Sequence, residues 1–196
     1  MMYPVSYELL SQFPDALDRI DLRFRWGAYD IRVLRCHLAK FSPDQLVDHH
    51  QHSEYEFHFI LSGRGSVTIE GKPFTLNSGE FYLTGPGIDH KQLADSTNPM
   101  QELCLHIDIQ PAPQVAYHVC EENWECREAD ECIRALEQFP LHPLEDRYDA
   151  MQEFAGAFQA WHEQAAGSYT FIKHCILQIL LKSVRASTVN QERVPL

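Results

Sequence analysis

The sequence predicts a mainly β domain with α-helices at its C-terminal end, on three observations. From about residue 29 to 119, apolar residues recur at every second position in short runs broken by Gly, Pro and Asn. From about 127 to 186 the period lengthens to alternating steps of three and four. No apolar run approaches the roughly 18 residues a membrane span requires. Many short strands at close spacing indicate a sandwich or a barrel. The 196 residues suffice for one domain, or one domain with a helical appendage.

The first zone, about 1 to 28, is mixed. Pro4 and Pro14 punctuate it, and Phe13, Phe24 and Trp26, with Tyr29 just beyond, supply aromatic anchors, as a packed arm or an early strand would. In the second zone Tyr55, Phe57, Phe59 and Leu61 alternate with Glu54, Glu56, His58 and Ile60, which predicts a strand with two unlike faces. Glu70-Gly71-Lys72 separates Val67-Thr68-Ile69 from Phe74-Thr75-Leu76 as a hairpin turn does. Asn77-Ser78-Gly79 and Gly85-Pro86-Gly87 are further turns. Leu103, Leu105, Ile107 and Ile109 alternate with Glu102, Cys104, His106 and Asp108 in another half-buried strand.

The third zone predicts three helices. Ala129, Cys132, Ile133 and Leu136 mark the first, ended near Pro140. Tyr148, Met151, Ala155, Phe158, His162 and Ala165 mark the second, closed by Gly167. The third starts at Ser168, a favourable N-cap, and is apolar around nearly its whole circumference from Phe171 to Val184. Such a helix needs cover on more than one side, from the preceding helix and, we expect, from a second subunit. After Val184 the chain turns polar. The expected organisation is 1–119 as barrel with N-terminal arm, 120–186 as a helical segment suited to dimerisation, and 187–196 as linker or tail.

Composition narrows the function classes. The formal net charge is −12, and the sixteen Lys and Arg residues are scattered rather than clustered, which disfavours direct contact with nucleic acid. The start, Met1-Met2-Tyr3-Pro4, lacks the basic and apolar regions of a secretory signal, so a cytoplasmic protein is expected. Six irregularly placed cysteines fit reduced thiols better than a disulfide scaffold. Cys120, Cys126 and Cys132 recur every six residues, but no Cys-x-x-Cys pair accompanies them.

The chemistry concentrates between residues 49 and 106. Residues two apart on a strand share a face, so His50, His52, Glu56 and His58 point the same way, opposite the apolar row. Imidazoles with one carboxylate and open positions suit a divalent transition metal. The same side chains could instead line a cavity and contact an organic ligand with no metal. His58 is placed to support the others or to touch a ligand, and Tyr82 and His106 are further ligand-binding candidates. The histidines at 37, 118, 142, 162 and 174 read as structural.

Two motifs here resemble those of the cupin superfamily. His50-Gln51-His52, three residues, Glu56, six residues, Gly63 is the spacing of its first motif, and Gly79, Gly85-Pro86-Gly87 and His90 follow its second. The proline stands one place late, and Ala94 occupies the position of the later Asn. The resemblance implies a double-stranded β-helix, or jelly-roll, barrel with His50, His52, Glu56 and His90 as ligands to zinc, nickel, iron, copper or manganese. Within the superfamily, the run Tyr55–Gly71, then Leu76–Glu80 and Gly85–His90, resembles the N-terminal sensor domain of AraC-type transcriptional regulators. That likeness implies a small-molecule effector in the barrel, a homodimer through the C-terminal helices, and nucleic acid bound only through a DNA-binding domain that these residues do not include. It also implies an N-terminal arm that can serve as a lid, with Phe24 and Trp26 on it. Three histidines and a glutamate also suit the alternative, a metal-dependent cupin enzyme of dioxygenase or isomerase type, but the dimer-like helices and linker-like end favour the sensor reading.

Overall fold

The computed structural model describes residues 7–113 and 124–191, with the side chains of 189–191 excepted. Two antiparallel sheets face each other. The larger has six strands in the order β1 (Arg23–Trp26), β2 (Tyr29–Lys40), β9 (Gln101–Pro111), β4 (Tyr55–Ser62), β7 (Glu80–Thr84) and β10 (Leu144–Glu145). The smaller has four, in the order β3 (Leu46–His50), β8 (His90–Ala94), β5 (Arg64–Ile69) and β6 (Lys72–Asn77). This is the cupin barrel, followed by helices α2 (Trp124–Glu137), α3 (Met151–Glu163) and α4 (Ser168–Gln191).

Strand alternation sets the layers. On β4, Phe57 and Phe59 point outward into a core shared with Leu103, Leu105 and Ile107 of β9 and with Phe154, Phe158, Ile176 and Leu180 of the helices. Glu56, His58 and Ile60 point into the barrel. The floor of the barrel is a second, smaller cluster: Ile60, Val67, Ile69, Leu76, Tyr82, Ala94 and Met100. The β5–β6 hairpin closes through Glu70 (φ 48°) and Gly71 (φ 75°), the paired left-handed conformations of a tight two-residue turn. Gly63 stands at φ 73°, and a side chain there would run into the backbone of Pro99 and Met100, which explains why only glycine serves.

The predicted helices are present, and α3 and α2 pack on α4 within the chain. The buried face of α4 is a wide stripe that includes Ile172, Cys175, Ile176, Ile179 and Leu180, while Phe171 and Tyr169 are exposed. α4 continues to Gln191, past the point where the sequence turns polar. The reason is local: Ser183 and Ser187 are buried and return hydrogen bonds to the carbonyls of Ile179 and Val184, so packing overrides a weak intrinsic preference. Residues 192–196, the rest of the expected tail, lie outside the described residues, as does the 119/120 boundary.

The described part of the arm, from Tyr7 onward, packs on the outer side of the larger sheet rather than over the barrel mouth. Trp26 is buried and Phe24 packs beside it on β1, paired with β2, so the packed-strand reading holds for both. Helix α1 (Glu8–Gln12) and the 3-10 turn Ala16–Arg19 sit against β2 and α3. The thiols divide. Cys36, Cys104, Cys132 and Cys175 are free and buried, but Cys126 is disulfide-bonded, contrary to the expectation of reduced cysteines throughout. Cys120 lies outside the described residues. No helix among the described residues is long and apolar enough to cross a membrane.

Candidate metal centre and its cavity

Pairing registers bring the four predicted ligands together. His50 of β3 faces His90 of β8 as a Cα partner, and Glu56 of β4 lies between Thr84 of β7 and His106 of β9. His52 follows β3 in a loop whose carbonyl accepts the Gly87 N–H at 2.8 Å, so the Gly-Pro-Gly turn is fastened beside it. The ring centroids of His50 and His90 are 4.1 Å apart, and those of His52 and His90 are 5.2 Å apart. Donor atoms of His50, Glu56 and His90 all lie within 4.8 Å of one another. His52 joins through Glu56, with Nε2 2.8 Å from Oε2.

Each of the three histidines is held the same way. Nδ1 of His50 bonds the Asp48 carbonyl at 2.8 Å, Nδ1 of His52 the Glu54 carbonyl at 2.9 Å, and Nδ1 of His90 the Ile88 carbonyl at 3.1 Å. A carbonyl can only accept, so each Nδ1 carries the hydrogen. In a neutral ring the lone pair is then on Nε2, the atom that His90 turns toward Glu56, while His52 donates to Glu56 through its Nε2 in the metal-free protein. His90 is fully buried, and its Nε2 has no hydrogen-bond partner among the described residues, 3.6 Å from Glu56 Oε2. A buried, unpaired lone pair among imidazoles and a carboxylate fits a divalent transition metal, and the backbone anchors are the outer support such ligands need.

Beneath this group is a buried polar network. Glu102 accepts from His58 Nδ1 (2.7 Å), Gln92 Nε2 (2.5 Å) and Cys104 Sγ (3.0 Å). Nε2 of His58 is 3.3 Å from Glu56 Oε2, and the ring stacks on Tyr82 at 4.2 Å. Gln92 also donates to the Tyr82 hydroxyl at 2.6 Å. Burial would push the His58 imidazole toward neutrality, but the charges of Glu56 and Glu102 reverse this and raise its pKa to about 10. Burial likewise opposes ionisation of Glu56, yet His58 and the hydrogen bonds from His106 and His52 hold its carboxyl far below the usual range. His52 behaves like His58, pushed down by burial and raised further by its bond to Glu56. Burial and the nearby carboxylates keep the Cys104 thiol protonated. Glu56, His58 and Cys104 also bring donors within 4.8 Å, but His58 and Cys104 are already joined through Glu102, and His58 pairs with Glu56.

A cavity of about 430 Å³ opens beside the quartet. His50, His52 and Glu56 form one side of it. Of the three ligand-binding candidates, His106 stands on its wall, with Nε2 2.8 Å from Glu56 Oε1. His58 and Tyr82 do not line it; both are buried behind Glu56, in the supporting network. Glu102 and Gln92 were not singled out among the site residues, because their only signal is a charged or amide residue alternating with apolar ones on an inward strand face. Arg35 and His37 were not marked either; they line the same cavity from β2, in the sheet that also carries His106 and Glu56. His37 had read as structural. His118 lies outside the described residues.

Comparison with known proteins agrees with this geometry. Residues 37–106 match the family model of the cupin domain. A gentisate 1,2-dioxygenase from Aquipseudomonas alcaligenes is 32% identical over 59 residues, a stretch that is 30% of this chain and 17% of that protein. The match thus spans under a fifth of that relative's length. A cupin protein from Bacteroides fragilis aligns over 45% of this chain and 77% of its own, at 22% identity and a TM-score of 0.33. KdgF from Halomonas sp. aligns over 42% and 86%, at 15% and 0.34. A salicylate 1,2-dioxygenase from Pseudoaminobacter salicylatoxidans aligns over 45% and 28%, at 16% and 0.33. Residues 37–106 thus match the cupin-domain model, and the two-sheet barrel they help to build has the cupin fold.

Proposed function

We propose that the chain holds a divalent transition metal through His50, His52, Glu56 and His90, and takes a small molecule into the cavity beside it. The observation that carries this is the common anchoring of three imidazoles by Nδ1 to backbone carbonyls, with their Nε2 atoms around Glu56. When bound, such a metal supplies Lewis acidity and positions for an oxygen-bearing ligand. The chain's own residues aim the donors, exclude water from the barrel floor and keep Glu56 ionised.

Two uses of this site are supported. A metal-dependent enzyme of dioxygenase or isomerase type is supported by the stretch shared with the gentisate dioxygenase, and on the comparisons this is the better supported use. A sensor domain of an AraC-type regulator is supported by the sequence resemblance and by a helical layer built onto the outer face of the pocket sheet. On the sensor reading a homodimer forms through those helices and the chain works in the cytoplasm. Oxygen uptake by iron(II)-loaded protein, screened over aromatic and aliphatic acids, separates the uses. Saturable uptake above an identically treated Glu56→Ala control supports the oxygenase. A saturable rise in melting temperature with some compound and no turnover supports the sensor. Absence of both across a broad library contradicts the proposal.

A further inference from the structure

We infer that the ligand taken beside the metal centre is a small carboxylate, and that Arg35 and His37 of β2 are the residues that read its charge. This rests on the metal-site reading above and adds to it a ligand class and two residues.

The inference begins with a backbone irregularity. Along β2, Ile31 and Val33 point into the helix-facing core, opposite Ile109 and Ile107 of β9. Regular alternation would continue with Arg35 in that core. Instead the register shifts between Val33 and Arg35, Leu34 becomes the extra residue, and beyond it Cys36 and Leu38 take the core positions. Arg35 and His37 are thereby turned to the face carrying His106 and Cys104, their Cα partners. Bulges that re-aim side chains beside a site are a recurrent device. This one replaces what would be Leu34 and Cys36 on the cavity wall with a guanidinium and an imidazole.

Both side chains have unused hydrogen-bonding capacity. Among the described residues Arg35 makes one hydrogen bond, from Nε to Asp18 Oδ2 at 3.4 Å, so the two terminal amino groups remain uncommitted. Asp18 stands beside both side chains: its Oδ2 is the partner of Arg35 Nε, and its Oδ1, which accepts the Cys36 N–H at 2.6 Å, lies 3.8 Å from His37 Nδ1, beyond hydrogen-bond reach. His37 Nδ1 and His106 Nδ1 are buried without a hydrogen-bond partner, and the two rings stack with centroids 6.1 Å apart. Buried orphan nitrogens on a cavity wall are donors or acceptors awaiting a partner. Of the acidic groups around these side chains, Asp18 reaches only Nε of Arg35 and is held by the Cys36 N–H, Glu102 is saturated by three donors, Glu56 belongs to the metal quartet, and Glu54 is 3.6 Å from His106 Nδ1. A carboxylate fits the remainder: its two oxygens match the fork of Arg35, and a second oxygen function on the same molecule would be offered to the metal.

The test uses cobalt(II)-loaded protein and matched pairs of probes, lactate with lactamide and mandelate with mandelamide. Binding is followed by calorimetry and by perturbation of the cobalt absorption bands. Each acid of a pair should bind at least tenfold more tightly than its amide. Arg35→Gln should lose that preference while retaining the cobalt spectrum and metal content, Arg35→Lys should recover part of it, and His37→Phe should weaken both acids. Amides binding as well as acids, Arg35→Gln binding acids like the unaltered protein, or no probe binding to cobalt-loaded protein would each overturn the inference and leave the metal site standing. Failure to take up cobalt would instead overturn the metal-site reading on which it rests.

Discussion

At the scale of single residues, the candidate site divides into donors that were legible in the sequence and supports that were not. His50, His52, Glu56 and His90 announce themselves because their spacing matches the cupin motifs. Alternation alone predicts a single extended strand through His50, His52 and Glu56, whereas the chain breaks after His50 and crosses to the other sheet at Tyr55, so the side chains converge across the barrel. Glu102 carries no such mark, yet it holds His58, Gln92 and Cys104 at once. Replacing it with leucine takes a partner from each of three buried polar groups and leaves the charge of His58 with Glu56 alone, and a loss of about 3–5 kcal/mol in denaturant unfolding is expected, the usual cost of breaking a buried charged network. The network also sets a pH dependence for the metal-free protein. The pKa of His58 is raised to about 10, so its stabilisation is complete below its ordinary value near 6.5 and is lost as pH rises toward 10. Glu56 is depressed, so its stabilisation holds above its ordinary value and is lost as pH falls below that. Melting temperature measured against pH should therefore peak on the acid side of neutrality and fall on both flanks, with the alkaline fall reduced in His58→Phe.

At the scale of elements, alternation predicted the faces of β4 and β9, and the helix periods predicted α2 and α3 nearly to their ends and the start of α4. What alternation could not foresee is the bulge in β2, because Ile31-Arg32-Val33-Leu34-Arg35 contains no Gly or Pro to signal a shift in register. Arg35 and His37 were missed for that reason alone. The polar end of α4 was misleading for the opposite reason, since propensity is weak evidence where tertiary packing covers the helix. Turn glycines provide a graded test. Gly71 has φ 75° and open space around it, so Gly71→Ala should cost about 1 kcal/mol. Gly63 combines φ 73° with close backbone approach, so Gly63→Ala should cost clearly more, about 2–3 kcal/mol, by chemical denaturation.

At the scale of the whole molecule, the barrel and its helices share one hydrophobic core. Phe59 stacks on Phe81 at 4.8 Å and meets Phe154 of α3 edge-on at 5.5 Å, so the strand that carries Glu56 on its inner face is braced by the helical layer on its outer one. Phe158→Ala, at a buried position of that layer, should cost about 3–5 kcal/mol. Because the core is continuous, far-ultraviolet circular dichroism and metal retention should be lost in one transition; two separated transitions would show that the helices fold apart from the barrel. The fold was legible in the sequence because periodicity acts over whole segments, whereas the cavity wall depends on one shifted residue and a few partners distant in sequence.

The claim on which the rest depends is that three imidazoles and Glu56 hold a metal. Elemental analysis after purification without chelators or metal-affinity resin, followed by loading with one equivalent of zinc, nickel, iron(II), copper or manganese and gel filtration, tests it directly. The account predicts about one tightly retained metal per chain in the unaltered protein and background levels in Glu56→Ala and His90→Ala. Background levels in the unaltered protein with every metal, or equal retention by the variants, would contradict it.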